Sequence, residues 1–193
     1  MPDETQLFDA VARVLARQPG SSMQEIATAA GISRTTLHRA FGDRETLVEK
    51  LSAQVLAECE RAFDAAEIDS APPMEAFDRL LEHALTLAKA YSLLFAEPHV
   101  YRVPRLVDEI TEQETRLARF FERGQRAGQF RPDLPPQWLA YSVGAQLEAI
   151  WWAIEDGHVG ARDAGRLLHA TILGGIAVRA GTQIPPNGSY TRP

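Results

Sequence analysis

The segment MQEIATAAGISRTTLHRAFGDRETL, residues 23–47, reads as two short helices joined by a tight turn. Ser22 and Glu25 have the spacing of a capping box, in which hydroxyl and carboxylate each satisfy a backbone N–H at a helix start. Ile26, Ala27 and Ala30 then share one face. Gly31 suits the left-handed position that ends a helix, and Ser33 can cap the next. Ala27, Gly31 and Leu37 place a small residue where helices cross, a glycine at the turn and an aliphatic side chain in the shared core. That is the order of a helix-turn-helix.

An ordinary helical hairpin would also bury Leu37 and Phe41. It does not explain the opposite face, where Arg34, Thr35, Thr36, His38 and Arg39 stand. Arginine can bond a guanine edge bidentately, and threonine can reach phosphate or a thymine methyl, so this face suits a major groove. Gly42 ends the helix and Asp43 caps another, with Arg44 in the first turn of that next helix, where phosphate could approach. The chain's net charge is −6, yet residues 21–44 hold Arg34, Arg39 and Arg44 against Glu25 and Asp43. A few cations aimed at one surface matter more for phosphate affinity than the average charge does.

Helical periodicity dominates elsewhere, without alternating strands or internal repeats, so the fold class is all-α. Leu7, Phe8, Val11, Ala12 and Leu15 mark a first amphipathic helix that Pro19-Gly20 stops. From Asp43 a helix long enough to bridge two domains runs to about Ile68. Ser70 to Pro73 interrupts it, and one amphipathic helix is expected from Phe77 to Phe95. Prolines in residues 97–105 predict a loop with a short helix. Further helices are expected over 105–127, from Pro136 to the Gly157–Gly160 break, and over 161–180. This gives about nine helices: a three-helix head in residues 1–45, a larger bundle in 46–182 and a mobile tail in 183–193.

A composition of 45% apolar and 24% charged residues is that of an ordinary globular protein. No apolar run approaches the roughly 18 residues of a membrane span, which speaks against a membrane partner. The start Met-Pro-Asp-Glu-Thr lacks the order of a secretory signal, so a cytoplasmic location is expected. Cys59 is the single cysteine, which excludes an intrachain disulfide or a thiolate metal cluster and fits a buried apolar role.

Residues 23–51, MQEIATAAGISRTTLHRAFGDRETLVEKL, resemble the DNA-binding domain of the TetR-type (tetracycline-repressor-like) transcriptional regulators, a likeness that spans about residues 5–55. Ala27, Ala30, Gly31, Ile32, Ser33, Leu37, Phe41, Arg44 and Leu47 fall on that family's turn, recognition helix and entry into the fourth helix. His38 stands where the family commonly has tyrosine, and Arg39-Ala40 where it has an aromatic-histidine pair, so the operator sequence does not carry over. The resemblance implies a homodimer that binds double-stranded DNA, more often as a repressor, and responds to a small-molecule effector. Arg34, Thr35 and Arg39 are expected at base edges or the groove, and Thr36, His38 and Arg44 at phosphate.

Leu139, Val143, Leu147, Ile150 and Ile154 form an apolar seam, with Trp138, Ala145 and Trp152 off it. The final helix alternates aliphatic residues with Gly165, Ala170, Gly174 and Ala177. These two helices are assigned to a two-fold interface, a four-helix bundle shared by two copies; intrachain core is the competing reading. An effector pocket between body helices is expected to draw on His83, Tyr91, Phe95, Tyr141, Glu148 and Trp152. Two rivals remain: a helical adaptor that has lost DNA binding, and a helical-bundle enzyme. The sequence holds no paired Glu-x-x-His, nucleophile elbow, phosphate loop or dinucleotide fingerprint, so no catalytic residue, metal or cofactor is expected.

Overall fold

The computed structural model describes residues 4–177, and the tail assigned to 183–193 lies outside them. Among the described residues there are nine α-helices and no strand. The head begins with α1 (Glu4–Arg17), whose Leu7, Phe8, Val11, Ala12 and Leu15 are buried as the periodicity requires. In α2 (Met23–Ala29) the capping box is complete: the Ser22 N–H donates to Glu25 Oε2 at 2.7 Å and the Glu25 N–H to Ser22 Oγ at 3.3 Å. Gly31 adopts φ +71°, which lets the Ile32 N–H reach the Ala27 carbonyl at 2.9 Å and closes α2. Ser33 caps α3 (Arg34–Phe41), and Asp43 caps α4 (Arg44–Ala65) through the Thr46 N–H at 2.8 Å.

The body adds α5 (Pro73–Glu82), α6 (Ala84–Ala96), α7 (Pro104–Arg126), α8 (Pro136–Glu155) and α9 (Ala164–Ile176). Proline opens α5, α7 and α8, where its missing N–H is not needed by the helix. Short 3-10 turns at Pro98–Arg102 and Ala161–Asp163 precede α7 and α9. The single helix expected from Phe77 to Phe95 is two helices, broken at His83, whose N–H bonds the Leu80 carbonyl in a tight turn. The break has a packing reason: the bend lets α5 lie on α7 while α6 lies on α1 and α8, with α4 and α9 packed on both. Apolar spacing continues across the bend, so periodicity alone does not reveal it.

Helix α6 is the axis of the molecule. Leu87, Ala88, Ala90, Leu93 and Leu94 are buried against the head on one side and the bundle on the other. The seam Leu139, Val143, Leu147 and Ile150 of α8 is buried inside this same chain. Intrachain core therefore accounts for those residues, and the interface expected there is not formed by them. What α8 leaves outside is the other stripe, with Trp138 59%, Tyr141 51% and Trp152 36% exposed. No described helix is long and apolar enough to cross a membrane.

At the far end of the body the Phe130 ring inserts among Phe77, Phe120 and Phe121, and Gly124 on α7 provides its room. A Cβ at Gly124 would lie 2.1 Å from the Phe130 ring. Gly124→Ala is expected to destabilise the fold by about 1–3 kcal/mol despite alanine's higher helix propensity, because the ring must leave its site. Urea unfolding followed by circular dichroism measures this, and a more stable variant would contradict the packing.

Candidate functional site

Helix α3 is held by two side chains. Leu37 is buried under α2, and Phe41 packs on Phe8 of α1 with ring centroids 6.5 Å apart. This seating turns Arg34, Thr35, His38 and Arg39 outward, all exposed. Among the described residues neither Arg34 nor Arg39 has a carboxylate within 4.0 Å, so their charges are available to a partner. Thr36 is half-buried and belongs to the helix start: its N–H donates to Ser33 Oγ at 3.0 Å, and the two hydroxyls lie 2.8 Å apart. Lys50, not singled out from the sequence, reaches from α4 to the Ala40 carbonyl at 3.4 Å and adds an exposed cation beside the end of α3.

Arg44 corrects an expectation. Its guanidinium does not face outward beside α3 for phosphate: Nη2 donates to both oxygens of Glu97 at 2.8 and 3.1 Å, and Nε donates to the Ser21 carbonyl at 2.8 Å. Glu97 is a buried carboxylate at the end of α6, and a buried anion requires a cation more strongly than exposed phosphate does. Arg13 and Arg17 of α1 are likewise turned to the body, toward Glu155 and Asp156 at the end of α8.

Between α4, α6 and α7 lies a small cavity. Leu56, Cys59, Leu94 and Ile110 form its apolar wall, and Tyr91, Phe95, Tyr101, Gln113 and Glu114 supply aromatic and polar groups. The cavity measures about 20 Å³, room for a single water. Burial pushes the Glu114 carboxyl above the usual glutamate range, against a hydrogen bond from Tyr141 that lowers it. Tyr101 is raised by burial and by the charges of Glu114 and Glu148. Burial raises the Cys59 thiol to about 12, which keeps it protonated and inert, in accord with its apolar role.

A family model described as "Bacterial regulatory proteins, tetR family" matches residues 7–51, the helices just described. The transcriptional regulator NfxB of Pseudomonas aeruginosa is 32% identical over 137 residues, 68% of this chain and 71% of that protein. The chain belongs to the TetR family of bacterial regulatory proteins. It is a DNA-binding transcriptional regulator and not an enzyme. The transcriptional repressor LfrR of Mycolicibacterium smegmatis is 29% identical over 151 residues, 78% of each chain. A crystal structure of LfrR in complex with proflavine shares the fold, with a TM-score of 0.67 at 24% identity over 91% of this chain and 96% of that one. The ketosteroid regulator KstR2 of Mycobacterium tuberculosis does so with a TM-score of 0.67 at 20% identity, over 93% and 98%.

Within this regulator the residues expected at an effector pocket separate. Tyr91 and Phe95 line the cavity, while Tyr141 and Glu148 stand beside it through Glu114 and Tyr101. His83 sits instead in the bend between α5 and α6, and Trp152 meets Trp151 edge to face at the other end of α8, 4.8 Å between centroids. Neither lines the cavity, because the bend and the helix's length carry them away from it. Glu114 was missed. On α7, acidic and basic residues recur on several faces, and nothing local sets the inward glutamate apart from Glu109, Glu112 or Glu122.

The caps that position α3 respond to acid. Hydrogen bonds from the Thr46 N–H hold Asp43 below its ordinary 3.8, and those from Ser22 hold Glu25 below 4.5. A depressed carboxyl contributes stability above its unfolded value and loses it as pH falls through the folded one. Asp43→Asn keeps a neutral acceptor, so it is expected to be less stable than the native chain at neutral pH and equal to it well below pH 3.8. Urea unfolding across pH 2–7 measures that gap, and a gap constant with pH would contradict the assignment.

Proposed function

We propose that this regulator is a homodimeric repressor whose two heads, residues 1–45, read a palindromic operator. Residues 46–182 would join the two copies and bind an effector that releases the DNA. One observation carries the DNA half: α3 presents Arg34, Thr35, His38 and Arg39 outward without intrachain ion pairs among the described residues. Arg34, Thr35 and Arg39 are assigned to base edges and groove, and Thr36 and His38 to phosphate, with Lys50 as a further phosphate contact. The exposed stripe of Trp138, Tyr141, Ala145, Ala149 and Trp152 on α8, with Ala170 and Gly174 exposed on α9, supports a two-fold bundle between copies. Such a dimer sets its heads roughly 34 Å apart, one turn of duplex.

The cavity's chemistry favours an aromatic cation as effector. A glutamate already destabilised by burial, set among Tyr91, Phe95 and Tyr101, gains most from a cation that stacks on rings and neutralises it. The crystallisation of LfrR with proflavine, a flat aromatic that carries a proton at neutral pH, points to the same class. With room for only one water, the cavity must widen to accept such a molecule, and the half-exposed Phe95 and Tyr101 are the rings that can turn to admit it.

Selecting fragments from a random DNA pool with the purified chain tests the first half: a symmetric motif should enrich, and no enrichment would sink it. Arg34→Ala should then relax preference at its base and cost about 1–3 kcal/mol. For the second half, proflavine fluorescence with protein alone should show binding that strengthens as pH rises through the elevated Glu114 value, since only the ionised carboxylate attracts a cation. Glu114→Gln should weaken binding and flatten that pH profile, and an unchanged profile would remove Glu114 from the site.

A further inference from the structure

Glu97 is 1% exposed, at the junction where α6 ends and the Pro98 turn begins. Its carboxylate meets Arg44, the first residue of α4, whose Nε also donates to the carbonyl of Ser21 just ahead of α2. One guanidinium therefore ties together two segments of the head and one of the body. The other polar links across this boundary are longer or more exposed: Arg13 and Arg17 lie 3.5 Å from the Glu155 carboxylate with their own side chains 64% and 41% exposed, and Arg17 to Asp156 and Lys89 to Asp9 have a partner side chain about half exposed. Pairs of that kind contribute little. His99, in the same turn as Glu97, lies only 3.5 Å from Glu49 of α4, so the junction gathers its polar contacts around the Arg44 bond.

The same helix walls the effector cavity. Tyr91, Leu94 and Phe95 reach the cavity from the last two turns of α6, and Glu97 follows directly. Tyr91 is packed tightly enough that a Cβ on Gly144 of α8 would lie 2.7 Å from its ring, so these aromatics cannot retreat into α8. Leu94 is buried and Tyr91 is backed by Gly144, so an occupant that presses on them pushes the end of α6, where Arg44 holds Glu97, while Phe95 and Tyr101 are about half exposed and can turn aside.

We propose that Arg44 and Glu97 are positioning residues for DNA recognition. Their bond fixes the head in the orientation that reads DNA, and an occupant of the cavity loosens the head by drawing Glu97 away. The first clause rests on the contact alone, and the second also rests on the effector reading above. A guanidinium committed to Glu97 and Ser21 acts without touching the nucleic acid, which distinguishes this role from a phosphate contact at the same residue.

The test uses the full chain and a DNA fragment that it enriches, with affinities from fluorescence anisotropy over a range of salt. Glu97→Gln and Arg44→Lys should each weaken binding about tenfold with the salt slope unchanged, and the double variant should be no weaker than the worse single, because both remove one bond. Cooperative urea unfolding checks that each variant folds. If Glu97→Gln does not, Glu97→Asp, which withdraws the charge by one methylene, should show a smaller loss of the same kind. Native affinity in Glu97→Gln, or an Arg44→Lys variant that binds normally while Arg44→Ala lowers the salt slope by about one, would overturn the proposal in favour of a phosphate contact.

The switching clause is read with tetraphenylphosphonium, an aromatic cation too bulky to intercalate. It should lower the native protein's DNA affinity by a factor that shrinks severalfold in Glu97→Gln while its own binding to that variant persists. An equal factor in both proteins overturns the clause. Failure of the cation to bind the native protein counts against the effector class, and the DNA titrations still decide the positioning role.

Discussion

A carboxylate with 1% of its surface exposed needs a cation, and in this regulator the cation comes from the other side of a domain boundary. The Arg44–Glu97 bond is thus the contact around which head and body are set. Buried pairs of this kind add little net stability over a well-packed apolar alternative, yet removal of one partner typically costs about 3–5 kcal/mol. Their use is orientation. Apolar contacts between α1, α4 and α6 supply adhesion without direction, whereas a guanidinium held at Nη2 by Glu97 and at Nε by the Ser21 carbonyl accepts few orientations.

The location of that bond at the end of α6 gives the rest of the body its meaning. Helix α6 is buried against α1 of the head and against α4 and α8 of the body, so it cannot shift without being felt in both. Its ring-bearing face closes a cavity of about 20 Å³ beside Glu114. A preformed large pocket would let a ligand enter silently. A small one favours a ligand that binds a rearranged α6 better than the resting one, and that difference in affinity is the thermodynamic requirement for coupling two sites.

Local signals in the sequence were strong where backbone chemistry dictates a choice. The capping box of Ser22 and Glu25, the Gly31 turn, and the caps of α3 and α4 are visible as residue types at fixed offsets, and each forms with the expected hydrogen bonds. The outward residues of α3 followed from Leu37 and Phe41 by helical geometry alone. The break at His83 was not visible, because apolar spacing runs through it and the bend answers to neighbours remote in sequence. Side-chain roles failed for a related reason. Arg44 has the position of a phosphate contact, and only the approach of Glu97, fifty-three residues away, redirects it. The α8 seam Leu139, Val143, Leu147 and Ile150 carried a pattern that any apolar partner could fill, and the chain's own core fills it.

By itself, then, the sequence determined that the chain is all-helical, that residues 23–47 make a helix-turn-helix, and which face of α3 looks outward, since periodicity and capping act within a few residues. The tertiary structure alone decided which charges are spent internally, which apolar stripe of α8 stays uncovered, and which of several glutamates on α7 is turned toward aromatic rings. Those outcomes depend on which distant segments meet, and a side chain's type does not record its neighbour.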